Sequence, residues 1–283
     1  MAYIRRSSNL QSRGFFARQS VTNVLIMINI ALFFIIKLLG SIRPAVIDAV
    51  AIKPSFILQG IALWTIFTSM FMHAGLFHLF VNMFSLFFIG NLVEKIIGRK
   101  RYVWLYLASG IVASLFFVFL AYAGQFIPRG DFLFGGIDDL AVGASGAIFG
   151  LLGVLAVLLP KKEVYLIMGP LIVIVLQFLI GGIAPSISGI VDIVSTVLIF
   201  VMIFSIFSSN SFIRKIAVPL RLQFWLAPII AIVPLVVIGY FLPEKLPIGN
   251  SAHFGGLVAG LLYGAYLRNK YSKKVKLLNK YVR

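Results

Sequence analysis

Long runs of apolar residues, separated by short basic segments, constrain this chain more than any other feature of its sequence. A helix needs roughly 20 apolar residues to cross a bilayer. Eight stretches come close to that length, at about residues 22–40, 76–95, 102–124, 144–160, 164–183, 188–208, 222–241 and 251–268. Charged residues make up only 12% of the chain, against about 25% in a soluble domain. The sequence therefore predicts an all-α polytopic membrane protein with eight spans.

The composition also excludes other classes of protein. Hydrophobic residues make up 61% of the chain, which is too many for a disordered protein. The chain has no cysteine, which excludes disulfide scaffolds, thiol proteases and cysteine-ligated zinc sites. The net charge of +17 comes from Lys and Arg clusters between the apolar runs. This pattern favours a membrane-topology signal over nucleic-acid binding, so we expect no nucleic-acid partner.

The distribution of charge predicts the orientation of the spans. With eight spans, both termini lie on one side, and that side holds 20 of the 25 basic residues. The positive-inside rule then puts both termini in the cytoplasm, and we expect the cell membrane as the location. The first run resembles a signal peptide but lacks a cleavage site, so we expect a retained span. The predicted organisation is a basic cytoplasmic segment at 1–21, a membrane domain at 22–268 and a basic cytoplasmic tail at 269–283.

Ser145 opens the fourth predicted span, with glycines at 143 and 146 on either side. A helix N-terminus offers unpaired backbone N–H groups and the positive end of the helix dipole, both of which suit an oxyanion. Gly and Ser are also common in membrane helices for packing alone. The three histidines, His73, His78 and His253, all fall at the same side of the predicted spans. Taken singly, each could be an interfacial residue with local hydrogen bonds.

Small residues at a spacing of four connect the fourth and last spans. Such faces allow two helix backbones to approach closely, and they are formed by Gly146 and Gly150 in the fourth span and by Gly256, Gly260 and Gly264 in the last. Packing through these faces would bring His253 beside Ser145. Three predicted spans lie between the two residues, so both open a span from the same side. A serine beside an imidazole is the minimum for nucleophilic catalysis, and no acid is placed to orient the histidine. The sequence therefore favours a dyad.

These residues resemble those of the rhomboid intramembrane serine proteases. The resemblance rests on three elements in order: H-x4-H-x3-N at 73–82, G-x-S-G at 143–146 and A-H-x-G-G at 252–256. It covers roughly residues 60–160 and 222–268. It implies a six-helix core, to which this chain adds about two helices within residues 161–221.

The resemblance also implies a role for each matching residue. Ser145 would be the nucleophile and His253 the general base and acid. His78 and Asn82 would donate hydrogen bonds to the oxyanion. The residues with a structural role near the site would be His73, Gly143, Gly146, Phe149, Gly256 and Gly260. The substrates would be single-span membrane proteins, cut in a water-filled cavity that opens to the outer side of the bilayer, without a metal or other cofactor.

Three features depart from the family pattern. Thr65 follows Trp64 where rhomboids often have arginine, which removes an interfacial anchor but not the chemistry. Phe149 stands where an aromatic hydroxyl is frequent; it can stack on His253 but cannot donate a hydrogen bond. Residues 161–221 have no counterpart in the six-span core, and we expect them to pack outside it.

Two other functions remain open at this point. The first is a catalytically inactive rhomboid-like protein that binds or escorts membrane clients, although such relatives usually lack the serine or the histidine. The second is a transporter or channel, suggested by the span count and by Asp192, an acid that lies within a predicted apolar run. A hydrogen bond at a helix end is the simpler role for Asp192, and no broken-helix inverted repeat is visible.

Overall fold

The computed structural model describes residues 19–241 and 249–281 of the chain. Its helices are α1 (Val21–Ile42), α2 (Ala45–Val50), α3 (Pro54–Leu58), α4 (Thr65–Thr68), α5 (Leu76–Ile97), α6 (Arg99–Gly124), α7 (Gly130–Phe134), α8 (Ser145–Leu158), α9 (Met168–Ile183), α10 (Ser188–Ser205), α11 (Ser211–Arg214), α12 (Ala227–Phe241), α13 (Asn250–Lys270) and α14 (Ser272–Tyr281). Strands β1 (Glu163–Ile167) and β2 (Pro219–Gln223) pair antiparallel. Single 3-10 turns lie at Ser69–Phe71, Pro185–Ile187 and Lys215–Ala217, and α5 contains a π-helical turn at Leu86–Gly90. Most of the predicted N-terminal segment and the last two residues of the tail lie outside the described residues.

The long helices follow the predicted apolar runs. In the described ranges, each run overlaps for most of its length with one helix. In chain order, these helices are α1, α5, α6, α8, α9, α10, α12 and α13. Four of these helices, α1, α5, α6 and α10, are long and apolar enough to cross a membrane by length and composition. Helices α8 and α9 are apolar but shorter. The helical, polytopic architecture agrees with the prediction, and the number of eight crossings stays a prediction.

Two predicted spans begin later than their hydropathy indicated. Residues 164–167 and 222–223 lie in strands β1 and β2, where Glu163 pairs with Gln223 and Ile167 with Pro219. The β1 sequence contains Val, Tyr and Ile, which favour a strand. The Arg221 side chain reaches the Glu163 carboxylate across the pair. The predicted helix starts were wrong because a short apolar run alone does not distinguish a strand from a helix.

A buried carboxylate fixes the start of α1 against α5. The Glu94 side chain accepts hydrogen bonds from the backbone amides of Val21 and Thr22 at 2.9 Å each, and from the Thr22 hydroxyl at 2.8 Å. The first amides of a helix have no partner within the helix, and a negative charge there is worth roughly 0.3–2 kcal/mol. Arg99 lies 3.6 Å from the same carboxylate. Glu94 therefore anchors α1 although about 70 residues separate the two segments.

Helix α8 lies between α6 and α13, and most of its residues after Ser145 are buried. The predicted contact with α13 forms: the glycines of α13 face α8, and the backbone carbonyls of Gly146 and Gly150 face α13. A methyl group on Gly256 would overlap the Gly146 carbonyl oxygen, and one on Gly260 would overlap the Gly150 carbonyl oxygen. On the opposite side, a methyl group on Gly146 would overlap Ala113 of α6. The close approach of α13 to α8 thus depends on Gly256 and Gly260, whereas the lack of a side chain at Gly146 and Gly150 makes room for α6.

Helices α9 and α10, within the predicted insertion at 161–221, pack together and against α5. Between them, the Gln177 amide donates a hydrogen bond to the Asp192 carboxylate at 2.8 Å. Toward α5, the Phe200 ring lies 4.8 Å from the Phe80 ring, and Phe204 lies 5.9 Å from it. These rings cover the aromatic face of the helix that carries His78 and Asn82 on its other positions.

Candidate active site

Ser145 and His253 meet at the end of the α8–α13 packing. The Ser145 Oγ and the His253 Nε2 lie 2.8 Å apart, a hydrogen-bond distance. Ser145 is the first residue of α8, and His253 lies in the first turn of α13. The glycine contacts hold the two helix backbones so close that side chains from their first turns touch. The sequence prediction that packing would bring these residues together is confirmed at the level of geometry.

Two further contacts hold the His253 ring and its helix. The Phe149 ring stacks on the imidazole with centroids 4.5 Å apart and an angle of 21° between the planes. The Ser251 hydroxyl donates to the Phe134 carbonyl at 2.6 Å, which ties the start of α13 to α7. In the described ranges, no carboxylate is hydrogen-bonded to His253, so an aromatic face, and not an acid, orients the ring. The sequence drew attention to Phe149 but not to Ser251.

His78 faces the turn that precedes Ser145. Gly143 in this turn has a φ of +126°, a backbone conformation that favours glycine. A methyl group on Gly143 would lie 2.9 Å from the His78 Nε2 and 3.8 Å from the Ser145 Oγ. The absence of a side chain at Gly143 therefore leaves a small space between these two atoms, where a substrate oxygen could lie.

The other nitrogen of His78 indicates the tautomer of the ring. The Ala74 backbone amide donates a hydrogen bond to the His78 Nδ1 at 3.4 Å, so Nδ1 is the acceptor. In a neutral imidazole, the proton then lies on Nε2. The Nε2–H group is a donor that points at the space beside Gly143, which suits a developing negative charge on a substrate oxygen.

Asn82 lies one turn after His78 and is only 4% exposed. Its side-chain amide donates one hydrogen bond to the His78 carbonyl at 2.9 Å. An amide NH₂ group has two donors, so one N–H is left for another acceptor. The Asn82 Oδ1 is buried and has no hydrogen-bond partner. This incomplete set of hydrogen bonds fits a residue with a role beyond local structure.

The loop at 51–75 is tied to the turn before Ser145. The Gly143 amide donates to the Ser69 carbonyl at 2.9 Å. Ile52 and Ala141 exchange two backbone hydrogen bonds, at 3.1 and 2.9 Å. These contacts were not predicted, because backbone hydrogen bonds between distant loops leave no mark on residue type. They hold the loop that precedes His78 in a fixed position relative to the turn that precedes Ser145.

His73 belongs to the same loop. It is 4% exposed, and its ring packs against the His78 ring with centroids 5.2 Å apart and an angle of 64°. The structure thus brings together Ser145, His253, His78, Phe149 and Gly143, with His73 behind His78. In the part of the chain that the structure describes, no group of three His, Cys, Asp or Glu residues could hold a metal ion.

Comparison with known protein families finds one matching domain. A family model described as the Rhomboid domain matches residues 61–195. The matched region includes His78, Asn82 and Ser145, and it ends before His253. The match therefore covers the site residues on α5 and α8. The place of His253 in the site rests on the packing of α13 against α8 described above.

Similar sequences occur among both active and inactive relatives. RHOMBOID-like protein 1 of Arabidopsis thaliana is 37% identical over 116 residues, which cover 41% of this chain and 26% of the relative. Rhomboid protease GluP of Bacillus subtilis (strain 168) is 30% identical over 152 residues, 53% of this chain and 27% of the relative. Inactive RHOMBOID-like protein 8 of Arabidopsis thaliana is 36% identical over 100 residues, 35% of this chain and 24% of the relative. The matched part of the chain spans about a quarter of the length of these relatives. Together with the domain match and the apolar helices, these similarities show that the chain belongs to the rhomboid family of integral membrane proteins.

Proposed function

We propose that this protein is an intramembrane serine endopeptidase that uses a Ser145–His253 dyad. The observation that carries the proposal is the 2.8 Å distance between the Ser145 Oγ and the His253 Nε2. A serine hydroxyl is a weak nucleophile until an adjacent base accepts its proton, and the imidazole is in position to do so. The similarity to Rhomboid protease GluP supports the same chemistry.

The first half of the reaction forms an acyl-enzyme. The Ser145 Oγ attacks the carbonyl carbon of the scissile peptide, and its proton passes to the His253 Nε2. The carbonyl oxygen becomes an oxyanion in the tetrahedral intermediate. When the C–N bond breaks, His253 gives the proton to the leaving amine, and the acyl group remains on Ser145 as an ester.

The second half releases the enzyme. A water molecule attacks the ester carbonyl and gives a proton to His253. The bond from the acyl carbon to the Ser145 Oγ breaks, and His253 returns the proton to that oxygen. The products are a carboxylic acid and the free serine. The Phe149 ring keeps the imidazole in one orientation throughout, because it stacks on the face of the ring.

The oxyanion would lie beside Gly143. The donors that we propose for it are the His78 Nε2–H group, the free N–H of the Asn82 amide and the backbone N–H of Ser145 at the start of α8. Such donors act without reorganisation when charge develops, and a single one is typically worth about 10²–10³ in rate. Helix α5 supplies two of the three donors, so its position against α8 matters for activity.

The substrates in this proposal are single-span membrane proteins, reached within the lipid bilayer. We further propose eight crossings, with both termini in the cytoplasm of a cell, the cell membrane as the location and the site open to the outer side. The charge distribution supports this orientation. Helices α9 and α10 form an added pair outside the α8–α13 packing.

The alternative is an inactive protein that binds or escorts membrane clients. The similarity to Inactive RHOMBOID-like protein 8 supports keeping this alternative. It does not require a hydrogen bond between a serine hydroxyl and an imidazole, nor a donor aimed at a side-chain-free glycine. These two features favour the peptidase.

A fluorophosphonate probe separates the two functions. Attack of the Ser145 Oγ on phosphorus forms an O–P bond, releases fluoride and passes the serine proton to His253. We expect labelling of the wild type and of Ser55→Ala, which changes a control serine in the short helix α3, and no labelling of Ser145→Ala. A folded wild type that is not labelled would support the escort function instead.

A further inference from the structure

The added helix α10 extends past the start of the site-bearing helix α5. The Phe200 and Phe77 rings are in contact, with centroids 6.0 Å apart. Seven residues further along both segments, the Phe207 and Phe84 rings lie 6.2 Å apart, so α10 runs beside α5 in the same direction. Helix α5 begins one residue before Phe77, whereas α10 begins at Ser188, twelve residues before Phe200. Twelve helical residues correspond to about 18 Å. Much of α10 therefore lies beyond the first turn of α5.

One face of α10 is buried beside α5 and open beyond it. Ile199 and Ile203 are 2% and 4% exposed, because they pack among residues of α9 and the phenylalanine rings of α5. Asp192 lies seven residues before Ile199, almost two helical turns, and so on the same face. Asp192 is nevertheless exposed. It lies eight residues, about 12 Å, beyond the level of Phe77, where α5 has not yet begun. Asp192 thus borders the space over the first turn of α5, which carries His78.

The Asp192 carboxylate is oriented by α9 and has no cation beside it among the described residues. The Gln177 amide of α9 donates a hydrogen bond to one carboxylate oxygen at 2.8 Å. In the part of the chain that the structure describes, no Lys or Arg forms an ion pair with this carboxylate. Ionisable groups within apolar helices are costly and usually have a partner. The arrangement therefore fits a cation that another molecule supplies.

We propose that Asp192 binds a lysine or arginine side chain of the membrane protein that enters the site. The charge of the carboxylate selects a basic partner, and its position selects a chain that also passes His78. An extended chain covers about 12 Å with about four residues. The basic residue would therefore lie about four residues from the scissile bond, on the side where α5, α8 and α13 begin. The mention of a scissile bond rests on the proposed function, whereas the binding of a basic residue does not.

Binding of single-span peptides to the full Ser145→Ala chain measures this recognition without cleavage. Each peptide carries one Lys, which is moved residue by residue along the half of the span nearest the site. Matched peptides carry Leu or Glu at the same positions. Dissociation constants are measured in phosphatidylcholine nanodiscs. At one position, we expect the Lys peptide to bind about 1.5- to 5-fold more tightly than the Leu peptide, the range of an exposed ion pair, and the Glu peptide to bind more weakly.

Variants of Asp192 in the same background assign the preference to this carboxylate. Asp192→Asn should abolish the difference between the Lys and Leu peptides, and Asp192→Glu should retain it. Asp192→Lys should reverse the preference, so that the Glu peptide binds more tightly than the Lys peptide. Asp48→Asn is the matched control: it removes another exposed carboxylate, in α2, and should keep the preference for Lys.

A disulfide experiment tests the placement of the bound peptide. The chain has no cysteine, so each introduced thiol is unique. A cysteine at the preferred peptide position should cross-link to Asp192→Cys. It should not cross-link to Ile190→Cys, which is 66% exposed and lies on the opposite face of α10 at a similar level. Cross-linking to Ile190→Cys alone would contradict the proposed face.

Each other outcome also decides the proposal. Equal affinities for the Lys, Leu and Glu peptides at every position, or no binding of any peptide, would overturn it. A preference for Lys that persists in Asp192→Asn would overturn it as well. Loss of the preference on addition of phosphatidylethanolamine would assign the carboxylate to a lipid ammonium and contradict a peptide partner. None of these results depends on Ser145 chemistry, which fluorophosphonate labelling of the wild type tests separately.

Discussion

At the residue scale, Asn82 and Asn91 allow a matched comparison on a single helix. Both donate a side-chain hydrogen bond to the carbonyl four residues earlier, Asn82 to His78 at 2.9 Å and Asn91 to Phe87 at 2.7 Å. Asn82 is buried and is a proposed oxyanion donor, whereas the Asn91 hydrogen bond is exposed. A difference in activity between the two alanine variants would therefore reflect a role of Asn82 in the site. It would not reflect the loss of a side-chain hydrogen bond on helix α5 in general.

We predict that Asn82→Ala lowers kcat by about 10- to 1000-fold with little change in KM, as for loss of one oxyanion donor. Asn91→Ala should retain the wild-type kcat. Steady-state cleavage of a single-span substrate measures both values. If Asn82→Ala is as active as the wild type, the amide is not an oxyanion donor and its unpaired Oδ1 needs another explanation.

Some residues of the site could be predicted from the sequence and others could not. Ser145 and His253 stand out because glycines flank them at helical spacing and an odd number of predicted spans separates them. The residues whose contacts hold Ser145 and His253 in place leave no such pattern in the sequence. Ser69 acts through its carbonyl, and Ser251 bonds to Phe134 across more than 100 residues. A backbone carbonyl has no sequence signature, so these contacts required the fold.

At the scale of elements, the packing of α8 on α13 positions the dyad. The spacing of small residues predicted this contact because it is repeated along both helices. The strands β1 and β2 were missed, since a short apolar run alone does not distinguish a strand from a helix. The anchoring of α1 by Glu94 was also missed, because the capping carboxylate lies on a different helix. Local periodicity thus predicted one helix contact, but not long-range caps or strand pairs.

We predict that Gly260→Ala lowers the thermal stability of the protein, because the new methyl group overlaps the Gly150 carbonyl oxygen. Overpacking of this kind typically costs about 1–3 kcal/mol. Gly189→Ala is the control: it lies in α10, and its methyl group would meet nothing within 4 Å. Thermal unfolding in detergent should show a lower midpoint for the first variant only. Equal midpoints would mean that the α8–α13 contact is looser than described.

At the scale of the whole molecule, the orientation in the membrane decides which compartment the site faces. In the proposed topology, five of the eight acidic residues fall on the side opposite the basic clusters. Asp131 precedes Ser145 on the proposed outer side, and Lys276 lies in the basic tail helix α14. Both side chains are exposed. The chain has no cysteine, so a single introduced thiol can be labelled without background.

We predict that Asp131→Cys reacts with a membrane-impermeant maleimide on intact cells, and that Lys276→Cys reacts only after the membrane is opened. The reason is that eight crossings put the two residues on opposite sides, with the basic tail inside. Labelling of Lys276→Cys on intact cells, without labelling of Asp131→Cys, would reverse the orientation. Labelling of both would contradict the crossing number.

The most direct measurement of the central claim is cleavage of a single-span membrane protein in liposomes by the wild type, Ser145→Ala and His253→Ala. The dyad predicts a new amino terminus within or beside the transmembrane segment for the wild type, and no product for either variant. Product formation by Ser145→Ala at the wild-type rate, or none by a wild type that is folded and labelled by fluorophosphonate with any of several single-span substrates, would contradict it.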